Sequence, residues 1–311
     1  MARIVYSPRY QIDIGAHVFP TRKYPLLRDL LIRRNLAAPG DFTEPEPISW
    51  EDLALVHTAG YLDKLRHPTM SLAEAARVEI DASAPVVEGF RLMAGGTLLA
   101  ARLALERAEP PAPCRPARNV GLHLGGGFHH AGADHGEGFC LFNDVAVAIR
   151  VLGRERAIAR AAIVDCDVHH GNGTALIFSG DRSVFTFSID QEHNYPSFKP
   201  RGSFDIHLPD GADDETYLQL LGGALPRVFE SRPDIVFYLA GADPFEEDQL
   251  GGLGLTKDGL RRRDRMVFRA ARERNVPLVV TLAGGYARRL EDTVDIHCAT
   301  VEEGMRIFGA E

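Results

Sequence analysis

The chain has 311 residues, of which 45% are hydrophobic and 25% are charged, a composition typical of a folded globular protein that can bury a sizeable core. Its formal net charge is −8 and it has no basic tract, so neither nucleic acid nor an anionic membrane is expected as its main partner. The N-terminus lacks the charged and apolar regions of a signal peptide, and no apolar run is long enough to span a membrane, so we expect a cytoplasmic protein.

Strand-like apolar runs alternate with helix-like stretches over most of the chain. Strands are predicted at 3–6, 119–124, 161–168, 183–189, 234–241 and 277–283, and helices at 85–107, 140–152, 214–230, 256–274 and 288–308. The remaining sequence before residue 119 is also mostly helical in pattern. This alternation predicts βαβ units, and hence one α/β domain over residues 1–311 that contains an open parallel sheet with helices on both faces.

The four cysteines stand at positions 114, 140, 166 and 298 and form no Cys-x-x-Cys pair. No disulfide framework is indicated, which favours a reducing compartment. Cys140 and Cys166 are expected to pack as small apolar side chains.

Three consecutive arginines, residues 261–263, lie inside the helix predicted at 256–274. They alternate with Asp258, Asp264 and Met266. We interpret this cluster as a solvated helix face rather than a binding site.

The most informative segment, residues 163–174, reads Ile-Val-Asp-Cys-Asp-Val-His-His-Gly-Asn-Gly-Thr. Alternate side chains of a strand share a face, so Asp165, Asp167 and His169 are predicted to point to one side. Two carboxylates and an imidazole at the end of a buried strand need compensation, and zinc or a similar divalent ion is the simplest. The alternative is one aspartate that caps the next helix while the others are solvated.

Three other predicted strands also end in chemically distinctive residues, and ligands bind beyond the carboxyl ends of the strands in open parallel sheets. Glycines 125–127 precede His129 and His130, a pair suited to proton transfer, to a second metal site or simply to a surface position. Asp243 would complete a set of two aspartates and one histidine, although an Asp-Pro turn would also explain it. Tyr286, after two glycines, could donate a hydrogen bond to a carbonyl oxygen that becomes an oxyanion.

Together these residues predict one metal ion that polarises an amide carbonyl and activates water, with a histidine for proton transfer and a tyrosine donor. The sequence contains no Gly-x-Ser-x-Gly elbow and no context for a cysteine nucleophile. Direct attack by metal-bound water is therefore preferred to a covalent intermediate.

These segments closely resemble the zinc-dependent histone deacetylase family, which has the arginase/deacetylase fold. The resemblance covers nearly the whole chain and is carried by residues 4–10, 56–58, 61–62, 125–131, 138–140, 165–173, 241–244, 248–253 and 284–286. The Asp-x-Asp-x-His-His-Gly-Asn-Gly stretch and the Leu-Gly-Gly-Leu segment before Thr256 are most similar to the class IV branch and its bacterial relatives.

The resemblance implies that one zinc ion per chain is held by Asp167, His169 and Asp243. It also implies a potassium ion, bound by backbone carbonyls near Asp165, Asp167 and His169 and by the side chain of Ser188. For the substrate it implies a channel for an acyl-lysine side chain.

The channel residues are inferred from the same resemblance. Gly138, Phe139 and Leu250 would line the channel. Tyr195 would stand on the opposite wall, where many family members have a second phenylalanine.

The catalytic roles also come from the resemblance. His130 would act as general base and acid, His129 as its electrostatic partner supported by Asp165, and Tyr286 would polarise the acyl carbonyl. Many members have a second aspartate to support the proton-transferring histidine, but this chain has Asn172. A neutral amide stabilises the imidazolium less, so we predict a lower pKa for His130 than an aspartate would produce.

The first functional hypothesis is a zinc-dependent deacylase of Nε-acyl-lysine in proteins or peptides. An amidohydrolase of small acetylated amines such as acetylpolyamines is the second. A two-manganese ureohydrolase would need additional bridging aspartates, which are not evident. A non-catalytic acyl-binding scaffold would have no use for the intact His129, His130 and Tyr286. The sequence does not indicate the oligomeric state.

Overall fold

The computed structural model describes residues 3–106 and 120–309. Within these ranges the strands are β1 (Arg3–Val5), β2 (Phe42–Thr43), β3 (Val120–His123), β4 (Ala161–Asp165), β5 (Val184–Gln191), β6 (Phe204–Leu208), β7 (Ile235–Leu239) and β8 (Leu278–Thr281). They form one sheet in the order β2-β1-β3-β8-β7-β4-β5-β6. Every neighbouring pair in this sheet is parallel.

Ten α-helices lie in the described residues. They are α1 (Lys23–Arg33), α2 (Trp50–Leu53), α3 (Ala59–Arg66), α4 (Leu72–Val78), α5 (Ala84–Leu105), α6 (Asp144–Arg154), α7 (Asn172–Ile177), α8 (Asp214–Glu230), α9 (Lys257–Glu273) and α10 (Leu290–Gly309). Side chains cap several of them; Thr256, for example, accepts a hydrogen bond from the backbone N–H of Gly259 at the start of α9. None of the helices in the described ranges is long and apolar enough to cross a lipid bilayer.

Helices cover both faces of the sheet. A Cβ placed on Gly121 of β3 would lie 2.0 Å from the carbonyl oxygen of Ala100 in α5, whereas Leu122 approaches Gly304 in α10. Because successive residues of a strand point to opposite faces, α5 and α10 cover opposite sides. Helix α6 packs beside α5, while α1 and α9 pack beside α10 and α8 packs beside α9. The predicted open parallel sheet with helices on both faces is thus confirmed.

The central strands are buried along their whole length. All five residues of β4 and all five of β7 are buried, which explains their nearly continuous apolar sequences. The predicted strands match the observed positions, but all except one extend too far toward the site; the strand predicted at 183–189 instead ends two residues before Gln191, the last residue of β5. The strand predicted at 161–168 ends at Asp165, because the backbone N–H groups of Asp167 and His169 bind the carboxylates of Asp165 and Asp167 instead of a neighbouring strand.

Two sheet strands were absent from the sequence prediction. β2 has only two residues, and β6 lies at the sheet edge with most of its side chains partly exposed. Short edge strands carry little of the apolar pattern on which the prediction depends.

The solvated-face interpretation of residues 261–263 is wrong for Arg263. This side chain has no exposed surface, and neither has its neighbour Asp264. The two charges lie on the buried stripe of α9, together with Leu260, Val267 and Phe268.

Cys140, Cys166 and Cys298 are free thiols in the buried part of the protein. Cys140 and Cys166 belong to the hydrophobic core, as the sequence indicated. Cys114 lies outside the described residues.

Candidate active site

Four loops meet at the carboxyl edge of the neighbouring strands β3, β8, β7 and β4. Residues 124–130 follow β3, residues 166–171 follow β4, residues 240–243 follow β7 and residues 282–286 follow β8. These are the segments singled out from the sequence, and the sheet brings them together at the edge where ligands bind in this type of fold.

Asp167, His169 and Asp243 form a compact buried triad. One ligand atom from each residue can be chosen so that all three lie within 4.8 Å of one another. His169 Nδ1 is 3.0 Å from Oδ1 of Asp167 and 3.5 Å from Oδ2 of Asp243. This spacing allows all three residues to bind a single ion.

The hydrogen bonds of the two carboxylates leave one oxygen without a partner. Gly284 N–H donates to Oδ2 of Asp167 at 2.7 Å, and Val168 N–H donates to Oδ1 of Asp243 at 2.9 Å. Oδ2 of Asp243 is fully buried but accepts no hydrogen bond from any residue that the structure describes. An unsatisfied buried carboxylate oxygen is costly, so a cation at this point would satisfy it.

The pKa values of the triad show an excess of negative charge. Burial and the adjacent Asp167 raise the pKa of Asp243 to about 7. Burial alone would lower the pKa of His169, but Asp167 and Asp243 outweigh it and raise the value to about 10. The donor set of two carboxylate oxygens and one imidazole nitrogen fits zinc and leaves room for further ligands.

Two histidines stand beside the triad, each held by a different partner. His129 Nδ1–H donates to Oδ2 of Asp165 at 2.6 Å, and His130 Nδ1–H donates to Oδ1 of Asn172 at 2.7 Å. Burial lowers the pKa of His129, but the carboxylates of Asp165 and Asp167 outweigh it and raise the value to about 9. Burial and the nearby His129 instead hold the pKa of His130 well below its ordinary value.

Glu137 fixes the orientation of the Asn172 amide and therefore the tautomer of His130. Asn172 Nδ2 and the Tyr195 hydroxyl donate to Oε1 of Glu137 at 2.7 and 2.8 Å. Because a carboxylate can only accept, Oδ1 of Asn172 must face His130, whose Nδ1 then carries the proton. Burial raises the pKa of Glu137, but hydrogen bonds from His135, Tyr195 and Asn172 outweigh it and hold the pKa below its ordinary value. The other ring nitrogen of a neutral His130 is thus available as a base.

The two Nε2 atoms of His129 and His130 are 3.1 Å apart. Only one of them can carry a proton at this distance without a repulsive contact between two N–H groups. The pair can therefore share and transfer a single proton.

Aromatic side chains surround the entrance to the triad. A narrow cavity that reaches Asp167 and His169 is lined by Phe19, Phe139 and Tyr286 among others. Tyr286 is buried, and this raises its pKa well above the ordinary value. The phenol is therefore protonated near neutral pH and can act as a hydrogen-bond donor.

Gly138 and Tyr195 lie against the proton-transferring histidine. A Cβ on Gly138 would lie 2.8 Å from the ring of His130, and Gly138 has a φ of +51°, so a side chain is excluded there. The ring centroids of Tyr195 and His130 are 5.0 Å apart. These positions are compatible with the predicted channel, and the residues' contact with substrate stays a prediction.

Leu250 and Ser188 belong to two other segments, the loop after β7 and strand β5. Leu250 is half-buried, and its carbonyl oxygen accepts a hydrogen bond from Asn194 at 2.8 Å. Ser188 pairs in register with Asp165 across β4 and β5, and its hydroxyl donates to Asp190 at 2.9 Å. The channel role of Leu250 and the potassium role of Ser188 likewise stay predictions.

Sequence reasoning missed Glu137 and Lys23. Lys23 is fully buried and donates to the carbonyl oxygen of Ala283 at 2.9 Å, in the loop before Tyr286. Burial lowers its pKa to about 8. Glu137 immediately precedes the segment 138–140 that resembles the family, and this adjacency was the available clue. No local pattern in the sequence distinguishes Lys23.

A family model described as the histone deacetylase domain matches residues 17–301. The chain is 38% identical over 296 residues to an uncharacterised protein of Picosynechococcus sp., covering 94% of this chain and 95% of that protein. It is 32% identical over 311 residues to Histone deacetylase 2 of Arabidopsis thaliana, covering 94% of this chain and 77% of the relative.

A solved structure described as the HDA15 HD domain has a similar fold. It superimposes with a TM-score of 0.79 at 24% sequence identity and covers 99% of this chain and 88% of that one. At this identity the likeness concerns the fold alone.

Proposed function

Because this chain belongs to the histone deacetylase family, and is therefore a hydrolase of that type, we propose that it removes acetyl or longer acyl groups from Nε-acyl-lysine in proteins or peptides. The observation that carries the proposal is the buried triad of Asp167, His169 and Asp243, which faces a pair of histidines at the end of a narrow aromatic cavity.

Asp167, His169 and Asp243 would hold one zinc ion, whose positive charge satisfies the unpaired oxygen of Asp243. When bound, zinc supplies a Lewis acid for the acyl carbonyl and lowers the pKa of a coordinated water. The remaining chemistry is proton transfer and charge stabilisation, for which this chain provides its own side chains.

His130 acts as the general base and acid. Asn172 holds its Nδ1–H, which leaves Nε2 to take a proton from the attacking water and later give it to the leaving amine. His129, whose Nδ1–H donates a hydrogen bond to Asp165, is the electrostatic partner of His130. Tyr286 donates its phenolic proton in a hydrogen bond to the acyl oxygen as negative charge develops there.

The shape of the entrance favours a long, thin substrate. Phe139 stacks near Phe19, and its ring centroid is 5.9 Å from that of Tyr286. Apolar aromatic walls suit the methylene groups of a lysine side chain, and the amide at its end would meet the polar triad.

We also propose a potassium ion near Asp165, Asp167, His169 and Ser188, supported by the adjacency of Ser188 to Asp165 across two strands. A cytoplasmic location is proposed as well. It is supported by the free state of the cysteines among the described residues.

The test is a hydrolysis panel of acetyl- to long-chain acyl-lysine peptides alongside acetylpolyamines, with metal-free protein and with zinc added back. We expect turnover of acyl-lysine peptides that disappears on chelation and returns with zinc. If only acetylpolyamines were hydrolysed, acyl-lysine would not be the substrate. If turnover persisted in the presence of the chelator, activity would not depend on the proposed zinc ion.

A further inference from the structure

A fully buried guanidinium lies on helix α9. Arg263 and Asp264 have no exposed surface. They occupy the same stripe of the helix as Leu260, Val267 and Phe268, at positions where helical spacing would place apolar side chains. Charged side chains are seldom fully buried unless they are paired and hydrogen-bonded. The hydrogen-bond partners of this guanidinium therefore indicate its role.

The two sides of the guanidinium have different partners. Nε and Nη2 donate to Oδ1 of Asp264 at 2.9 and 2.8 Å. Nη1 donates instead to two backbone carbonyl oxygens, that of Gly241 at 2.6 Å and that of Cys166 at 3.2 Å. One nitrogen thus joins the loop after β7 to the loop after β4.

These carbonyl groups belong to the loops that carry the metal triad. Cys166 immediately precedes Asp167, and Gly241 lies two residues before Asp243. A Cβ on Gly241 would lie 2.8 Å from Cα of Asp167, so the two loops are in direct contact at this point. We propose that Arg263 is a positioning residue that holds Asp167 and Asp243 at the spacing a shared ion needs.

The charge of the guanidinium is neutralised by Asp264, so its contribution to the site is chiefly geometric. Asp264 itself is held by the hydroxyl groups of Tyr238 and Thr300. Hydrogen bonds therefore connect Asp264 of α9 and Thr300 of α10, through the guanidinium of Arg263, to the loops after β4 and β7. Lysine retains the charge but cannot reach the carboxylate and both carbonyl groups at once.

The test measures zinc affinity, because the inference depends on the proposed metal site but not on its substrate. The zinc dissociation constant of the full-length protein is determined by chelator competition, and the stability of the zinc-free protein by urea unfolding. We expect Arg263→Lys to weaken zinc binding about 10- to 100-fold, as the loss of contacts that orient ligands does elsewhere.

Thr300→Val is the matched control. It removes a hydroxyl donor from the same Asp264 but leaves the carbonyl contacts of Arg263 in place. We expect it to lower stability while the zinc dissociation constant stays within about twofold, since its effect on the ligand loops is indirect. Equal losses of zinc affinity in both variants would mean that Arg263 only stabilises the core, and would overturn the inference.

A second variant covers the case in which Arg263→Lys does not fold. Arg263→Met with Asp264→Asn removes both buried charges together and keeps an acceptor for Tyr238, and such replacements are often tolerated. The same loss of zinc affinity is expected. If the double variant bound zinc as tightly as the parent, the positioning role of Arg263 would be overturned but the proposed function would stand. If the parent itself bound no zinc, the proposed function would be overturned as well.

Discussion

The backbone N–H of Gly284 donates a hydrogen bond of 2.7 Å to Oδ2 of Asp167, although 117 residues separate the two in sequence. A Cβ at position 284 would lie 1.8 Å from Oδ2 of Asp243 and 2.6 Å from Oδ2 of Asp167. The absence of a side chain therefore lets the loop after β8 pass directly against Asp167 and Asp243 of the candidate metal site.

The first prediction follows from this contact. Gly284→Ala would push Asp167 and Asp243 apart, and we expect zinc affinity and turnover to fall by about 100-fold, the upper range for lost ligand orientation. Chelator competition and peptide hydrolysis measure the two effects. Gly153→Ala is the control, because a Cβ there would meet nothing within 4 Å. Unchanged zinc binding in Gly284→Ala would contradict the geometry.

The second prediction concerns Tyr286. Tyr286→Phe removes the proposed donor to the acyl oxygen, and we expect kcat to fall by about 10² to 10³ while KM and zinc affinity change little. Steady-state kinetics on an acetyl-lysine peptide measure the effect. Tyr217→Phe is a suitable control, since the hydroxyl of Tyr217 is buried and forms no hydrogen bond to an oxygen or nitrogen atom of the described residues. A variant that retains parental turnover would exclude Tyr286 as the electrophile.

The third prediction concerns the pH dependence of turnover. Burial and His129 hold the pKa of His130 well below its ordinary value. Asn172→Asp would stabilise the imidazolium and raise this pKa. The base would then become protonated at higher pH, so the acidic limb of the pH–rate profile should move to higher pH.

Glu137 complicates this experiment and also provides its control. Its carboxylate lies 2.7 Å from the atom of Asn172 that would become a second carboxylate oxygen, and the two charges would repel. The substitution is therefore made in a Glu137→Gln background and compared with Glu137→Gln alone. An acidic limb that does not move between these two proteins would refute the role of Asn172.

The fourth prediction concerns stability at a distance from the site. Glu303 has a buried side chain on α10. Burial raises its pKa, but hydrogen bonds from Arg265, Arg306 and Arg261 outweigh this and hold the pKa at about 2. Since the folded-state value is the lower one, its contribution is present above the unfolded value of about 4.3 and is lost as the pH falls toward 2.

Glu303→Gln should therefore reduce the free energy of unfolding at pH 7 by about 2 to 3 kcal/mol, and this deficit should shrink as the pH falls from about 5 to 3. Urea unfolding at several pH values measures it. Glu302→Gln is the control, because Glu302 is partly exposed and its ion pair among the described residues is with Arg261, and such pairs contribute about 1 kcal/mol or less. A deficit that does not depend on pH would contradict this account of Glu303.

The three residues that could hold a metal ion were predicted together from the sequence because each follows a buried apolar run at a strand end. The apolar runs predicted the central strands, and the polar residues that follow each run predicted the loops of the candidate site. The end of β4 was misplaced, since alternation of side chains continues through Asp167 and His169 although the strand pairing does not.

Contacts between loops could not be derived in the same way. The hydrogen bond from Asn172 to Glu137 depends on which loops are neighbours in the folded protein. Contacts between such loops produce no periodic pattern in a single sequence. Arg263 is a different case, because its spacing of three residues after Leu260 and four before Val267 places it on the apolar stripe of α9. Helical spacing would have predicted burial, but the charge of its neighbours led to the opposite interpretation.

The position of β8 has a consequence for biosynthesis. This strand is the last in the chain yet lies in the middle of the sheet, between β3 and β7. A nascent polypeptide that has not yet emerged past Leu278 would have two separate half-sheets, each with an open edge. Insertion of the final strand unites them and brings Gly284 and Tyr286 to the edge where the loops after β3, β4 and β7 lie, so the candidate site is complete only once β8 has been synthesised and paired.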